Sequence, residues 1–103
     1  MKPFTPAPAA TASISATTTS ARTAIKQQPT GSHQLRLFNA GTATVFWTFG
    51  DGAVTAALTD VPLPSGAIEV VTLPNATNAP TTHIAAITAA GTATLHLTTG
   101  QGL

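Results

Sequence analysis

Of the 103 residues, 21 are Thr and 20 are Ala, and only 7% carry charge, against about 25% in an average soluble domain. That length suits one domain with a modest core, and the formal net charge of +1 comes from scattered residues, Lys2, Arg22, Lys26 and Arg36, which form no stripe able to neutralise phosphates. Nucleic acid is therefore not an expected partner. The absence of cysteine removes disulfides and thiolate metal sites, and no apolar run suits a secretory leader or a bilayer span, so neither secretion nor membrane insertion is expected.

Isolated domains normally keep apart in solution by presenting a charged surface of mixed sign. A surface of Thr, Ala, Ser and Asn predicts instead a protein that works packed against copies of itself or against partners.

Residues 1–31 are read as an extended N-terminal arm. Pro3, Pro6, Pro8 and Pro29 interrupt a run of Ala, Thr and Ser in which Phe4, Ile14 and Ile25 are the large apolar groups. Proline removes ladder donors and favours extended chain, so such a segment is expected to order against a neighbour. Its candidate partner-binding residues are Phe4, Ile14, Arg22 and Ile25. Residues 13–19 and 21–26 can also pair as strands, because Thr is at home in sheets.

Residues 32–103 are read as a β-sandwich domain. Residues 34–38 and 42–49 alternate, with Leu35, Leu37, Ala43, Val45, Trp47 and Phe49 on one parity. Asn39-Ala40-Gly41 then reads as a hairpin loop with Gly41 as its left-handed residue. The string Ala40-Gly41-Thr42-Ala43-Thr44 recurs as Ala90-Gly91-Thr92-Ala93-Thr94, and His33 lines up with His83. The repeat predicts a second hairpin with Ala85, Ile87, Ala93 and Leu95 on its apolar side. Between the copies, residues 53–58 are a short strand candidate, residues 60–66 a proline-stiffened connection ending in a turn glycine, residues 67–73 a strand, and residues 74–80 a turn cluster. Helical periodicity is absent. The expected fold is all-β: an antiparallel sandwich, jelly-roll or Ig-like, of about seven or eight strands.

Little in the chain can do chemistry. His83 falls on the apolar-side parity of its hairpin and His96 on the other, so they are not expected to share a metal. Asp51 reads as a turn residue between two glycines, and no serine sits in a nucleophile-elbow pattern. Asn75-Ala76-Thr77 matches the glycosylation triplet, which is treated as chance because secretion is not expected. Trp47, at core parity, reads as a packing anchor rather than a sugar-stacking platform. No enzymatic activity, cofactor, metal or small-molecule substrate is expected.

Several segments carry a resemblance. They are Gln34-Leu35-Arg36-Leu37-Phe38-Asn39-Ala40-Gly41, Val45-Phe46-Trp47-Thr48-Phe49-Gly50, Leu63-Pro64-Ser65-Gly66-Ala67-Ile68-Glu69-Val70, and the run from His83 to Leu95, with a weaker echo in Ser20-Ala21-Arg22. In these the chain is similar to small virion proteins of tailed bacteriophages, over roughly residues 32–103. The resemblance implies a non-enzymatic sandwich that joins the particle as a capsid decoration, or cement, protein on the outer surface of the phage head. It would assemble in the bacterial cytoplasm, with the major capsid protein and copies of itself, as a homotrimer or other homo-oligomer, for partners. A head–tail connector, tail or fibre component is the alternative, and a carbohydrate-binding module using Trp47 or Phe46 a weaker one. The first thirty residues match the family only loosely.

Overall fold

The computed structural model describes residues 5–25, 34–72, 75–76 and 79–101. Ten strands follow in order. They are β1 (Thr5–Ala16), β2 (Ala21–Ala24), β3 (Gln34–Asn39), β4 (Val45–Gly50), β5 (Val61–Leu63), β6 (Ile68–Thr72), β7 (Asn75–Ala76), β8 (Ala79–Pro80), β9 (His83–Thr88) and β10 (Ala93–Gln101). No helix occurs among the described residues. Eight of the strands build two four-stranded antiparallel sheets, ordered β1-β10-β3-β6 and β2-β9-β4-β5, and β7 pairs with β8. The fold is thus the expected antiparallel β-sandwich.

The alternation of the strands makes the core. Leu35 and Leu37 from β3, and Leu95 and Leu97 from β10, point inward from the first sheet. Val45 and Trp47 from β4, Leu63 from β5, and Ile84 and Ala86 from β9 meet them from the second. Each fully buried leucine contributes roughly 1.5–3 kcal/mol through the apolar surface it removes from water. Every second residue of these strands faces outward, as a two-layer sandwich requires.

The doubled segment does not form two hairpins. β3 and β4 lie in different sheets, as do β9 and β10, so each copy is an arch that crosses the core. The arches interlock. β3 of the first copy pairs with β10 of the second, placing Leu37 opposite Leu97, and β4 pairs with β9, placing Trp47 opposite Ala86. Leu35 and Val45, which the hairpin reading set on one face of one sheet, both point into the core but from opposite sheets.

The second copy also slips by one residue. Ile84, Ala86 and Thr88 take the inward positions of β9, where the repeat had predicted Ala85 and Ile87. The cause lies at the bend. In the first arch Asn39 is fully buried, and its Nδ2 donates to Ala43 O (2.8 Å) and Leu63 O (2.9 Å) while Oδ1 accepts from Gly41 N (3.0 Å). The residue fifty positions later is Ala89, which has nothing to donate. Thr88 takes over instead, its Oγ1 donating to Gly91 O (2.8 Å) and its N to Thr17 O (2.8 Å). A one-residue shift turns a whole strand over.

The two bends consequently use glycine differently. Gly91 has φ +77°, whereas Gly41 lies outside the positive-φ region where the hairpin reading had placed it. Gly41 is needed for space: a Cβ there would lie 2.5 Å from both Cα and Cβ of Ala93.

Strands β1 and β2 fall within the span expected to be an arm. β1 pairs with β10 over Thr11 to Ala16, with a register shift between Pro6 and Thr11, and β2 pairs with β9. Residues 53–58 form no strand. Asp51 Oδ1 accepts from Ala53 N (2.9 Å) and Asp60 Oδ2 from Ala57 N (2.7 Å), so local turns take donors that a ladder would need. Ala56 N donates to Ser20 Oγ (2.8 Å), which carries this segment across the second sheet to the start of β2. The turn after β5 closes with Ala67 N donating to Pro64 O (3.0 Å) around Gly66 at φ +76°, the expected turn glycine.

Candidate functional site

The residues expected to anchor an arm on a partner separate on inspection. Ile14 and Ile25 are buried in the domain's own core, with Ala16 beside Ile14 on the same face of β1. Their side chains fill the gap between the sheets and are not offered to another molecule. Arg22 is exposed on the outer face of the second sheet, in a row with Ala85 and Thr48. Phe4 lies outside the described residues, as does His33.

His83 follows the inverted parity of β9 and faces outward, a correction to its expected place on the apolar side. Its Nδ1 shares a hydrogen bond with Thr82 Oγ1 (2.8 Å). His96 faces outward from the first sheet, stacked on Phe38 with ring centroids 6.1 Å apart and planes 19° from parallel. The two histidines thus sit on opposite outer faces. Among the described residues no three His, Asp or Glu side chains gather as a metal-binding group. Asp51 and Asp60 are engaged in their own turns.

Trp47 is buried at 4% exposure with its ring tilted against Phe49, centroids 6.5 Å apart. It is a packing anchor, as its parity predicted, and it leaves the carbohydrate-module reading without its main platform. Its Nε1 has no hydrogen-bond partner among the described residues.

Surface chemistry is what remains, and it is graded. Across the outer face of the first sheet the pairings define two rows: Ser13, His96, Phe38 and Ile68, then Thr11, Thr98, Arg36 and Val70. The β1 side is hydroxyl-rich, with Thr11 and Thr98 hydrogen-bonded through their Oγ1 atoms (2.9 Å). The β6 side is aliphatic. Ile68 is 52% exposed and Val70 47%. β5 and β6 end their respective sheets and are joined by the short Pro64 turn, so they stack along one flank. Val61 of β5 is also 49% exposed, but it lies opposite Trp47 and so on the inner side of its sheet, apart from the outward Ile68 and Val70. Two of the five large apolar residues exposed among the described residues, Ile68 and Val70, therefore lie together on the outer face of β6, with Glu69 as the one acid on the strand.

Sequence reasoning recognised residues 67–73 as a strand but not as an exposed one. The signal was in the string Ile68-Glu69-Val70-Val71, where apolar residues on both parities flank a single charge.

No family model matches the chain, and no curated protein matches it as a relative. The arrangement defines a class by its geometry: a small antiparallel sandwich with one hydroxyl-rich edge and one aliphatic edge.

Proposed function

We propose that the chain is a structural protein of a bacteriophage virion, working by surface contact as a capsid decoration protein bound to the major capsid protein and to copies of itself. The observation that carries this reading is the pairing of a nearly uncharged surface with an exposed aliphatic flank. Scattered exposed apolar residues are normal, but a group of them on one edge of a small domain marks an interaction site. The segments similar to small phage virion proteins supply the biological setting, and the sandwich is the fold that the resemblance implies. Each copy would stabilise the shell by adding buried area across subunit boundaries, with no reaction to perform and no cofactor to hold.

With Ile14 and Ile25 committed to the core, the described surfaces that would meet the capsid are the aliphatic edge at β6 and the face around Arg22. Counting copies of the chain in purified virions by quantitative mass spectrometry tests the proposal. Hundreds of copies per particle fit a shell protein. A few dozen would favour the connector, tail or fibre reading, and absence from virions would end both.

A further inference from the structure

We propose that β6 is a homotypic seam: it pairs antiparallel with β6 of a second copy about a two-fold axis through Val70, joining two four-stranded sheets into one of eight. β6 ends its sheet, with β3 as its only described strand partner. Asn39 N donates to Ala67 O (3.1 Å), so Ala67 directs its carbonyl at β3. Alternation along an antiparallel ladder then turns Glu69 and Val71 toward β3 and leaves the amides and carbonyls of Ile68, Val70 and Thr72 pointing away from the sheet. An edge in that state is a template for another strand.

The other edges are obstructed. β5 has three residues with Pro62 at its centre, β2 has four, and β1 carries Pro6 and Pro8 and a register shift. β6 has five residues and no proline.

The second copy is favoured as occupant because charge and hydrogen bonding select one register. Directly opposed residues must share a face and both point their amides outward, so even-numbered residues must oppose even-numbered ones. Placing the axis at Glu69 would set two carboxylates side by side, which is destabilising. Moving it to Val70 puts Glu69 opposite Val71 of the second copy and keeps the acids apart. It also aligns three outward pairs, Ile68 with Thr72, Val70 with Val70 and Thr72 with Ile68, each exchanging two main-chain hydrogen bonds. The exposed Ile68 and Val70 gain cross-strand neighbours. Glu69 thus does more than discourage promiscuous pairing, since it leaves this register open. The seam would supply the self-contact within the proposed function, but it stands on the edge geometry alone.

The test uses the full chain, which contains no cysteine, so Val70→Cys introduces the only thiol. In the proposed register the two Val70 Cα atoms lie about 5.5 Å apart, within disulfide range. Thr72→Cys is equally exposed, but its own mate lies several residues along the seam. Under mild oxidation Val70→Cys is expected to cross-link into dimers at least tenfold faster than Thr72→Cys. Sedimentation of the unmodified chain is expected to show twice the 10.3 kDa chain mass. Val70→Pro removes an outward N–H only, and should sediment as a folded monomer by circular dichroism. Equal cross-linking of the two cysteine variants, a monomeric parent chain at all concentrations, or an undiminished dimer of Val70→Pro would each overturn the seam. A dimeric chain absent from virions would refute the proposed function and leave the seam standing. A monomeric chain abundant in virions would do the reverse.

Discussion

Identical pentapeptides at the two bends should respond differently to the same substitution. At Gly41 an alanine Cβ would sit 2.5 Å from Cα and Cβ of Ala93 and 3.1 Å from Thr94 N. Ordinary van der Waals contact begins near 3.4 Å, and two of these neighbours are backbone atoms of β10's first turn of ladder. The bend can relieve the overlap only by moving apart from β10. Overpacking of this kind typically costs 1–3 kcal/mol, and a backbone obstacle puts Gly41→Ala at about 3 kcal/mol. At Gly91 the nearest atom to a new Cβ is Ala43 Cβ at 3.9 Å, so space is free, but φ is +77°. Gly91→Ala should then cost roughly 1–2 kcal/mol, the penalty for a left-handed L-residue. Asn tolerates that conformation, so Gly91→Asn should recover most of the loss, whereas Gly41→Asn should be at least as harmful as Gly41→Ala. Adding Ala93→Gly to Gly41→Ala removes one of the two closest atoms but not Ala93 Cα, and predicts only partial rescue. Thermal unfolding resolves these differences, since 1 kcal/mol moves Tm by about 4–8 °C in a domain of this size. Equal losses at Gly41 and Gly91, or a benign Gly41→Asn, would refute the assignment of one glycine to sterics and the other to backbone conformation.

Other substitutions test the packing and the bends. Asn39→Ala strands the carbonyls of Ala43 and Leu63 and the amide of Gly41, and is expected to cost about 2–4 kcal/mol in denaturant unfolding; Asn39→Asp should not rescue it, because a carboxylate cannot donate to those carbonyls. Leu97→Ala, at a fully buried position opposite Leu37, should lose about 2–5 kcal/mol by the same measurement. Trp47→Phe removes an indole N–H that lacks an acceptor among the described residues, so its cost should stay within about 1–2 kcal/mol despite the lost ring area. Deleting residues 2–20 strips β1 from β10 and removes Ile14 and Ala16 from the core, and should abolish cooperative unfolding; a stable, cooperatively folding remainder would show that β1 is an accessory to the sandwich.

The fold class was legible because alternation and turn chemistry speak to single strands. The connectivity was not, and the repeated segment shows why. Leu35, Leu37, Val45 and Trp47 share a parity, which a hairpin satisfies by pointing all four the same way. An arch satisfies it equally, by setting two strands in opposite sheets with their apolar sides facing. Hydrophobic pattern cannot separate these, since it records burial and not partner. The parity of β9 was undecidable for a plainer reason. Ile84-Ala85-Ala86-Ile87 places one Ile and one Ala on each face, so the inward side was settled at the bend by Thr88, through a hydrogen bond that no periodicity reveals.

The burial of Ile14 and Ile25 shifts the functional weight of the molecule. An arm anchored by those residues would have made the N-terminal segment the binding device and the sandwich its carrier. The pairings give that segment a structural duty instead: β1 and β2 close the hydroxyl-rich side of both sheets, and their isoleucines complete the core. That closure is one-sided. Among the described residues β6 and β5 receive no equivalent cover, and Ile68 and Val70 stay near half exposed on the outer face while the opposite edge shows Thr and Ser. A chain with so few charges has little to keep it apart from its neighbours. In the proposed seam, an open aliphatic edge with Glu69 to restrict its registers would direct association to a defined place. The asymmetry between the two edges is therefore the feature of the fold on which the proposed function most depends.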